Sequence, residues 1–277
     1  MNRLGARAAR RTRVLHANYD SAMVNNDPDQ ASVSDIRAVA RVANICALFG
    51  PEVEELSAAD VAERTGLNRT TAYRYCASMA AAGILERGSK RGTFALGAFM
   101  LELGLHALGK ERVVEIAGPH LRKLSAAVEM TAVLSIPGAH GPAVALVAEP
   151  AGRQVLVTVR VGTTLDSSAA QSHVFLAYEH EAMTEVLTAE LSAAQRIRLM
   201  SEVATVRKDG YSVVRPQSLP FVVAAPVFDD KGLRATVAIL GVGDFDLTPA
   251  IEELLATAGV LSDALGAPED APRSADV

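Results

Sequence analysis

The strongest constraint on the fold lies in residues 56–94, where two short helical patterns flank a turn that contains glycine. Ser57 and Asp60 predict a capping box, because a hydroxyl and a carboxylate three residues apart can bind the unpaired amides at a helix start. Gly66 tolerates the left-handed backbone that ends such a helix. Asn68 is a favoured N-cap for the next helix. The segment therefore predicts a helix-turn-helix.

The second helix of this pair shows two different faces. Its apolar face repeats at helical spacing through Ala72, Cys76, Met79 and Ala80. The exposed first turns carry the side chains that we predict to contact bases and phosphates in the DNA major groove, namely Arg69, Thr70, Thr71, Tyr73 and Arg74.

A short hairpin follows the helix pair. Gly83 ends the second helix, and apolar residues on both sides of residues 88–92 predict two short strands. The turn between them carries Lys90 and Arg91, which we predict to contact phosphates. Two helices joined by a glycine turn also occur in proteins that never meet DNA. The basic hairpin, combined with the exposed Arg, Thr and Tyr side chains, favours a winged DNA-binding domain.

The net charge of the chain is −5, but the charge is unevenly distributed. Residues 1–98 contain 13 Lys and Arg against 10 Asp and Glu, a net charge of +3, while residues 99–277 contain 14 against 22, a net charge of −8. Because phosphate contacts depend on local charge, the acidic whole chain does not argue against DNA binding.

Composition sets the broad class of the protein. A length of 277 residues with 49% hydrophobic residues is enough for two domains with buried cores. No apolar run approaches the length of a membrane span, and the start lacks a secretory signal, so we expect a soluble cytoplasmic protein without membrane contact. Cys46 and Cys76 lack metal-ligand spacing and are predicted to be core residues. No metal site and no cofactor are predicted.

The domain organisation follows from shifts in pattern along the chain. Basic and then polar residues at 1–32 predict a disordered tail, which is either a basic arm that contacts phosphates or an extension ahead of a translation start at Met23. Residues 33–97 then form the winged domain, with a first helix capped at Ser34. An apolar linker helix at 98–113 predicts a dimer contact, and a flexible tail is expected at 267–277.

Residues 114–266 predict an α+β domain with a mostly antiparallel sheet. Stretches rich in Val, Ile and Thr predict five strands, at 131–136, 143–148, 154–161, 221–228 and 236–242. Helical spacing predicts five helices, at 119–128, 169–178, 181–188, 192–209 and 249–265.

The chain resembles transcriptional regulators of the IclR family from about Val33 to Leu265. The motifs that carry the resemblance are residues 37–49, 56–87, 94–104, 160–162, 206–213 and 222–232. The resemblance implies a winged helix-turn-helix, a dimerising linker helix and a GAF-like domain that binds a small-molecule effector. It also implies a dimer or tetramer on a palindromic double-stranded DNA operator.

The effector domain departs from the family pattern. The resemblance implies effector contacts from Gly162, Ser168, Gln171, Val222, Ile239 and Gly241. Several polar anchors of the family are replaced by apolar residues, so one hypothesis is an effector that is larger or less polar than a short keto acid. Hydrogen bonds would then come from the pocket rim, at Ser167, Ser168, Gln171, Ser172 and His173. In the alternative, these residues only cap and face a helix, and the pocket is degenerate.

The sequence lacks the motifs of the common enzyme classes. No nucleophile elbow, phosphate loop, zinc-protease or dinucleotide motif occurs, so no catalytic residue is predicted. His173 and His180 share helical spacing but lack a third metal ligand. A remaining alternative is an effector-independent DNA-binding protein whose second domain serves only in oligomerisation.

Overall fold

The structure is a computed structural model, and it describes residues 36–151, 157–178, 181–215, 220–243 and 246–268. Several predictions fall on residues outside these segments: the tail at 1–32, the cap at Ser34, the strand residues 154–156, His180, and residues 269–277 of the C-terminal tail.

The N-terminal domain is a winged helix-turn-helix. Its helices are α1 (Arg37–Cys46), α2 (Ala58–Thr65) and α3 (Arg69–Ala81), and its strands are β1 (Leu56–Ser57), β2 (Leu85–Arg87) and β3 (Thr93–Leu96). The strands form an antiparallel sheet in the order β1-β3-β2. The sequence predicted only the two-stranded hairpin. It missed β1, because this strand is only two residues long and ends at the residue that caps α2.

The predicted caps of α2 and α3 are confirmed. The Ser57 hydroxyl accepts a hydrogen bond from the Asp60 amide at 3.2 Å, and the Asp60 carboxylate accepts one from the Ser57 amide at 2.8 Å. Gly66 takes a left-handed φ of 68° at the end of α2. The side-chain oxygen of Asn68 accepts from the Thr71 amide at 2.8 Å. These bonds satisfy helix-end amides that would otherwise lack partners, and they fix where α3 begins.

Two further helices connect the domains. They are α4 (Ala98–Leu108) and α5 (Arg112–Val128), so the linker predicted at 98–113 takes in the first two residues of α5. The helix predicted to begin at Pro119 was placed too late, because Pro119 lies inside α5. A proline inside a helix removes one backbone hydrogen bond. Burial of Val113, Ala117 and Leu121 on one face of α5 offsets that loss.

The second domain contains a five-stranded antiparallel sheet with helices on both faces. Its strands are β4 (Thr131–Ile136), β5 (Ala143–Ala148), β6 (Ser212–Val214), β7 (Phe221–Asp229) and β8 (Gly232–Gly241), in the order β5-β4-β8-β7-β6. Its remaining helices are α6 (Ala170–Ala177), α7 (Glu181–Thr188), α8 (Ala193–Asp209) and α9 (Thr248–Ala264). The predicted α+β, GAF-like class with an antiparallel sheet is confirmed. No helix in the described segments is long and apolar enough to cross a bilayer.

One predicted strand does not form over its described residues, and one observed strand was missed. Residues 157–161 do not form a strand, although Thr164 just beyond them bridges to Ala143. The missed strand, β6, has only three residues at the edge of the sheet and carries too short a pattern to detect.

The sheet separates two apolar cores. Leu134, Val237 and Ile239 pack on the side of α5 and α9. Val133, Ala238 and Leu240 pack on the side of α6, α7 and α8. Because successive strand residues point to opposite faces, a shift of one residue moves a side chain from one core to the other.

Candidate DNA-binding surface and effector site

The exposed face of α3 carries most of the predicted DNA contacts. The buried face of α3, formed by Ala72, Cys76 and Met79, fixes the helix on the domain core. The four side chains on the opposite, exposed face follow helical spacing and lie together: Arg69, Thr70, Tyr73 and Arg74. A helix with one packed face and one polar exposed face is suited to the major groove.

The remaining predicted residue of α3 plays a different part. Thr71 is half-buried, and its amide is bound by the Asn68 cap. Tyr73 is 52% exposed, yet its ring meets the buried Phe94 ring edge-on, with centroids 6.4 Å apart. This aromatic contact holds the start of α3 against the wing strand β3.

The wing presents its two cations at an exposed turn. Lys90 and Arg91 lie between β2 and β3, and Gly92 takes a φ of 86° that suits glycine. The turn is bound by Glu55, a residue that the sequence analysis did not select. Hydrogen bonds from Ser89 and Thr93 lower the pKa of the Glu55 carboxyl to about 2.

The cations on α3 and the wing turn have no acidic partners among the described residues. Arg69, Arg74, Lys90 and Arg91 form no ion pair with any residue in the described segments. Phosphate oxygens are the usual partners of such exposed guanidinium and ammonium groups. The geometry therefore provides a helix for the groove and a basic turn beside it.

Comparison with known proteins identifies this arrangement. Residues 38–89 match the model of the IclR helix-turn-helix domain. This segment of the chain is therefore similar to the DNA-binding domain of IclR-family regulators. The HTH-type transcriptional regulator XynR of Escherichia coli is 26% identical over 250 residues, which cover 84% of this chain and 98% of that protein.

Two solved structures show the same fold over both domains. A putative IclR regulator from Silicibacter sp. TM1040 superposes with a TM-score of 0.74 at 20% identity, covering 85% of this chain and 99% of that one. An IclR homolog from Microbacterium hydrocarbonoxydans, solved in complex with 4-hydroxybenzoate, gives a TM-score of 0.68 at 20% identity over 82% and 98% of the two chains. The matched domain is a DNA-binding helix-turn-helix, and the curated relatives of the chain are HTH-type transcriptional regulators, not enzymes.

The six predicted effector residues do not converge on one site. Gln171 is buried in α6, and the half-buried Val222 packs in the core on the same side of the sheet. Gly162 and Ser168 are exposed in the loop before α6. The fifth, Ile239, is fully buried in the opposite core, against α5 and α9.

The sixth residue, Gly241, also faces away from α6. A Cβ at this position would lie 2.6 Å from the Phe221 ring and 3.2 Å from the Met130 sulfur, both in the core beneath α5 and α9. The structure therefore does not bring Ile239 and Gly241 together with Gln171 and Val222. Leu240 is the β8 residue that shares a face with Val222, its cross-strand partner.

Three buried hydroxyls mark the α6 side of the sheet. Ser135 and Thr236 are cross-strand partners on β4 and β8, and both are fully buried. Ser172 is fully buried in α6. None of these hydroxyls has a hydrogen-bond partner among the described residues. A buried polar group without a partner costs about 1–3 kcal/mol, so these three oxygens are candidates for ligand contacts. Ser172 was among the residues predicted at the pocket rim, whereas for Ser135 and Thr236 the available sequence signal was a hydroxyl residue inside an apolar strand.

A fourth polar group on this side, His173, is already bound. Its Nε2 lies 3.1 Å from the carbonyl oxygen of Ser167 and 3.3 Å from a carboxylate oxygen of Glu202. Because a carbonyl only accepts, Nε2 carries the proton, and Nδ1 accepts from the Ser212 hydroxyl at 3.3 Å. Burial lowers the pKa of His173, and the attraction of Glu202 only partly offsets this. The histidine is therefore neutral, and its hydrogen bonds to Ser167 and Ser212 hold the start of α6 in place.

The two domains also touch through the loop that was predicted to line the effector site. The Arg160 guanidinium donates to the carbonyl oxygen of Pro51 at 2.6 Å and lies 3.6 Å from the Glu52 carboxylate. Pro51 and Glu52 belong to the segment between α1 and β1. A separate shallow cavity of about 210 Å³ lies beside the β7–β8 turn, and none of the predicted effector residues lines it.

Proposed function

We propose that this chain is an IclR-family transcriptional regulator that binds a palindromic operator as a homo-oligomer and changes its DNA affinity when a small-molecule effector binds. In this proposal residues 33–97 contact DNA, residues 98–113 link and dimerise, and residues 114–266 bind the effector. The observation that carries it is the exposed basic face of α3 and the wing, whose four cations lack partners among the described residues. Base contacts come from Arg69, Thr70, Thr71, Tyr73 and Arg74, and phosphate contacts from Lys90 and Arg91.

Selection of genomic DNA fragments by the purified full chain tests the operator. A dimer with two copies of α3 binds two half-sites about one helical turn, or a multiple of it, apart. The selected fragments should therefore share an inverted repeat, and the region upstream of the chain's own gene is the first to inspect. Recovery of fragments without any shared repeat would contradict sequence-specific binding.

Dimerisation is proposed for α4 because its apolar side chains are uncovered. None of its 11 residues is buried, and Leu101 and Leu105 are 65% and 61% exposed. A continuous apolar helix surface is a usual sign of a protein contact. A second copy of the chain would bury the same residues on both sides.

Light scattering on the purified chain tests this contact. Replacement of Leu101 and Leu105 by Gln should lower the mass toward that of one chain. Replacement of Val260, an exposed apolar residue of α9, by Gln serves as the control and should leave the mass unchanged. An unchanged mass in the double variant would exclude α4 as the contact.

The effector site is proposed on the α6 side of the sheet, at Gln171, Ser172, Ser135, Thr236 and Val222. No Lys or Arg of the described residues is buried, so no enclosed cation is available to pair with a carboxylate. The buried hydrogen-bonding groups are hydroxyls and one amide, which suit hydroxyl or carbonyl groups on a larger, less polar molecule. The 4-hydroxybenzoate bound by the Microbacterium homolog carries a phenol and an apolar ring but also a carboxylate, so it belongs in the first test panel beside uncharged phenols of the same size.

Thermal denaturation against a panel of metabolites tests the effector class. Aromatic or aliphatic compounds with hydroxyl or carbonyl groups should raise the unfolding temperature, because a ligand that binds only the folded state stabilises it. Stabilisation by pyruvate-like acids alone would contradict the less polar site. The effector-independent alternative predicts no stabilisation by any compound together with unchanged DNA binding.

A further inference from the structure

The turn of the wing is held by one carboxylate from outside the hairpin. Glu55 directly precedes β1, and its Oε1 accepts a hydrogen bond from the Ser89 amide at 2.7 Å. Its Oε2 accepts from the Thr93 hydroxyl at 2.7 Å and from the Lys90 amide at 3.3 Å. The three donors surround the basic pair of the turn, so the position of the turn depends on this side chain.

The backbone leaves space for the carboxylate. A Cβ at Gly88 would lie 2.7 Å from Oε2 of Glu55 and 2.3 Å from the Thr93 hydroxyl oxygen. Both distances are shorter than any ordinary contact. A side chain at position 88 and the bound carboxylate therefore exclude each other.

The charge of Glu55 is unfavourable for DNA binding when it is considered alone. With a pKa of about 2, the carboxyl is ionised at every pH at which DNA binding is measured. A negative charge beside a phosphate-binding turn weakens attraction to DNA. An ionised carboxylate, however, accepts stronger hydrogen bonds than a neutral group does.

We propose that Glu55 is a positioning residue for DNA binding, which holds the wing turn so that the Lys90 and Arg91 side chains face the phosphates. The carboxylate occupies the adjacent amides of Ser89 and Lys90, a backbone arrangement that otherwise attracts external anions. DNA phosphates then meet the two cationic side chains and not the backbone. This role rests on the proposed phosphate contacts of Lys90 and Arg91.

A matched pair of substitutions separates positioning from charge. Glu55→Gln and Glu54→Gln each remove one negative charge from neighbouring positions, and Glu54 is exposed. Only Glu55→Gln replaces an acceptor of the turn by an NH₂ group, which cannot accept. On a mixed-sequence DNA duplex at roughly 0.1 M salt, Glu55→Gln should bind about fivefold more weakly, and Glu54→Gln as tightly as the parent or more tightly. Equal or tighter binding by Glu55→Gln would overturn the proposal.

A double-mutant cycle tests whether Glu55 acts through the wing cations. In a Lys90→Ala, Arg91→Ala background, Glu55→Gln should cause no further loss of affinity. A merely structural role would lower affinity in both backgrounds, and that result would overturn the proposal. If the double alanine variant binds like the parent, the phosphate role of the wing fails, and the role of Glu55 with it. If the Lys90→Ala, Arg91→Ala variant binds weakly but Glu55→Gln binds like the parent, the positioning role of Glu55 is excluded and the phosphate role of the wing is not.

Gly88→Ala provides a second variant in which no charge changes. Its methyl group displaces the carboxylate from the turn, so DNA binding should weaken as in Glu55→Gln. Thermal unfolding confirms that each variant is folded, and Gly88→Ala decides the matter if Glu55→Gln does not fold. Parental affinity in folded Gly88→Ala would overturn the positioning role.

Discussion

The two regions of the molecule that are proposed to bind ligands place their polar groups in opposite ways. In the winged domain the cations are exposed, and the described residues there include no fully buried polar side chain. In the second domain, Ser135, Ser172 and Thr236 are fully buried with hydroxyls that lack partners among the described residues. A ligand that is a surface polyanion needs a rigid display of charge, whereas an enclosed ligand needs polar groups kept in the interior at a cost in stability.

The largest expected effect tests the exposed cations of the winged domain. Arg74→Ala should weaken operator binding by about 1–3 kcal/mol, or roughly tenfold or more, because it removes a side chain placed for base contact. Arg122→Ala removes the same charge from an exposed position on α5 and is the control. Fluorescence anisotropy at physiological salt measures both. Parental affinity in Arg74→Ala would contradict the assignment of α3 as the helix that contacts DNA.

A pH titration tests the buried polar groups of the second domain through His173. Because burial lowers its pKa from 6.5, the unfolded chain binds this proton more readily than the folded chain does. Stability should therefore fall as the pH drops below about 6.5, by at most about 1.4 kcal/mol per pH unit, and level off below the folded pKa. His173→Gln should flatten this dependence in urea unfolding experiments. His106→Gln, at an exposed position of α4, should leave it unchanged, and an equal slope in the His173 variant would exclude this residue as the cause.

Thr236→Val tests whether the buried hydroxyls are held for a ligand. The substitution keeps the shape and removes a hydroxyl without a partner, so the ligand-free protein should gain about 1 kcal/mol in unfolding free energy. Its stabilisation by the effector should shrink at the same time.

Ser125→Ala is the matched control for this substitution. Ser125 is buried with a hydroxyl that lacks a partner among the described residues, but it lies in α5, on the other side of the sheet. We expect a similar gain in stability with the effector response retained. Retained stabilisation by the effector in Thr236→Val would show that the effector does not contact this residue of β8.

The features of the two regions differ in how far local sequence spacing determines them. Ser57, Gly66 and Asn68 act through bonds to residues a few positions away, so their spacing alone predicted the caps and the start of α3. The facing of Ile239 depends on the register of β8 against β4, which a single strand pattern does not fix.

The contacts of Glu55 and Arg160 were also beyond prediction from sequence spacing. Each joins residues far apart in sequence, 34 or more positions for Glu55 and 109 for Arg160. Only the folded backbone brings such groups together. The polar composition of both loops was visible in the sequence, but the partners were not.

The smallest expected effect tests whether the winged domain and the second domain act independently. Arg160 is the described link from the effector-domain loop to Pro51 and Glu52, and the Arg160 side chain is 61% exposed. An exposed ion pair contributes about 0–1 kcal/mol, so Arg160→Ala should barely change the unfolding temperature. Pro51 and Glu52 lie in the same segment as Glu55, which holds the wing. A clear loss of DNA affinity in Arg160→Ala at unchanged stability would therefore show that this contact from the second domain influences the position of the wing.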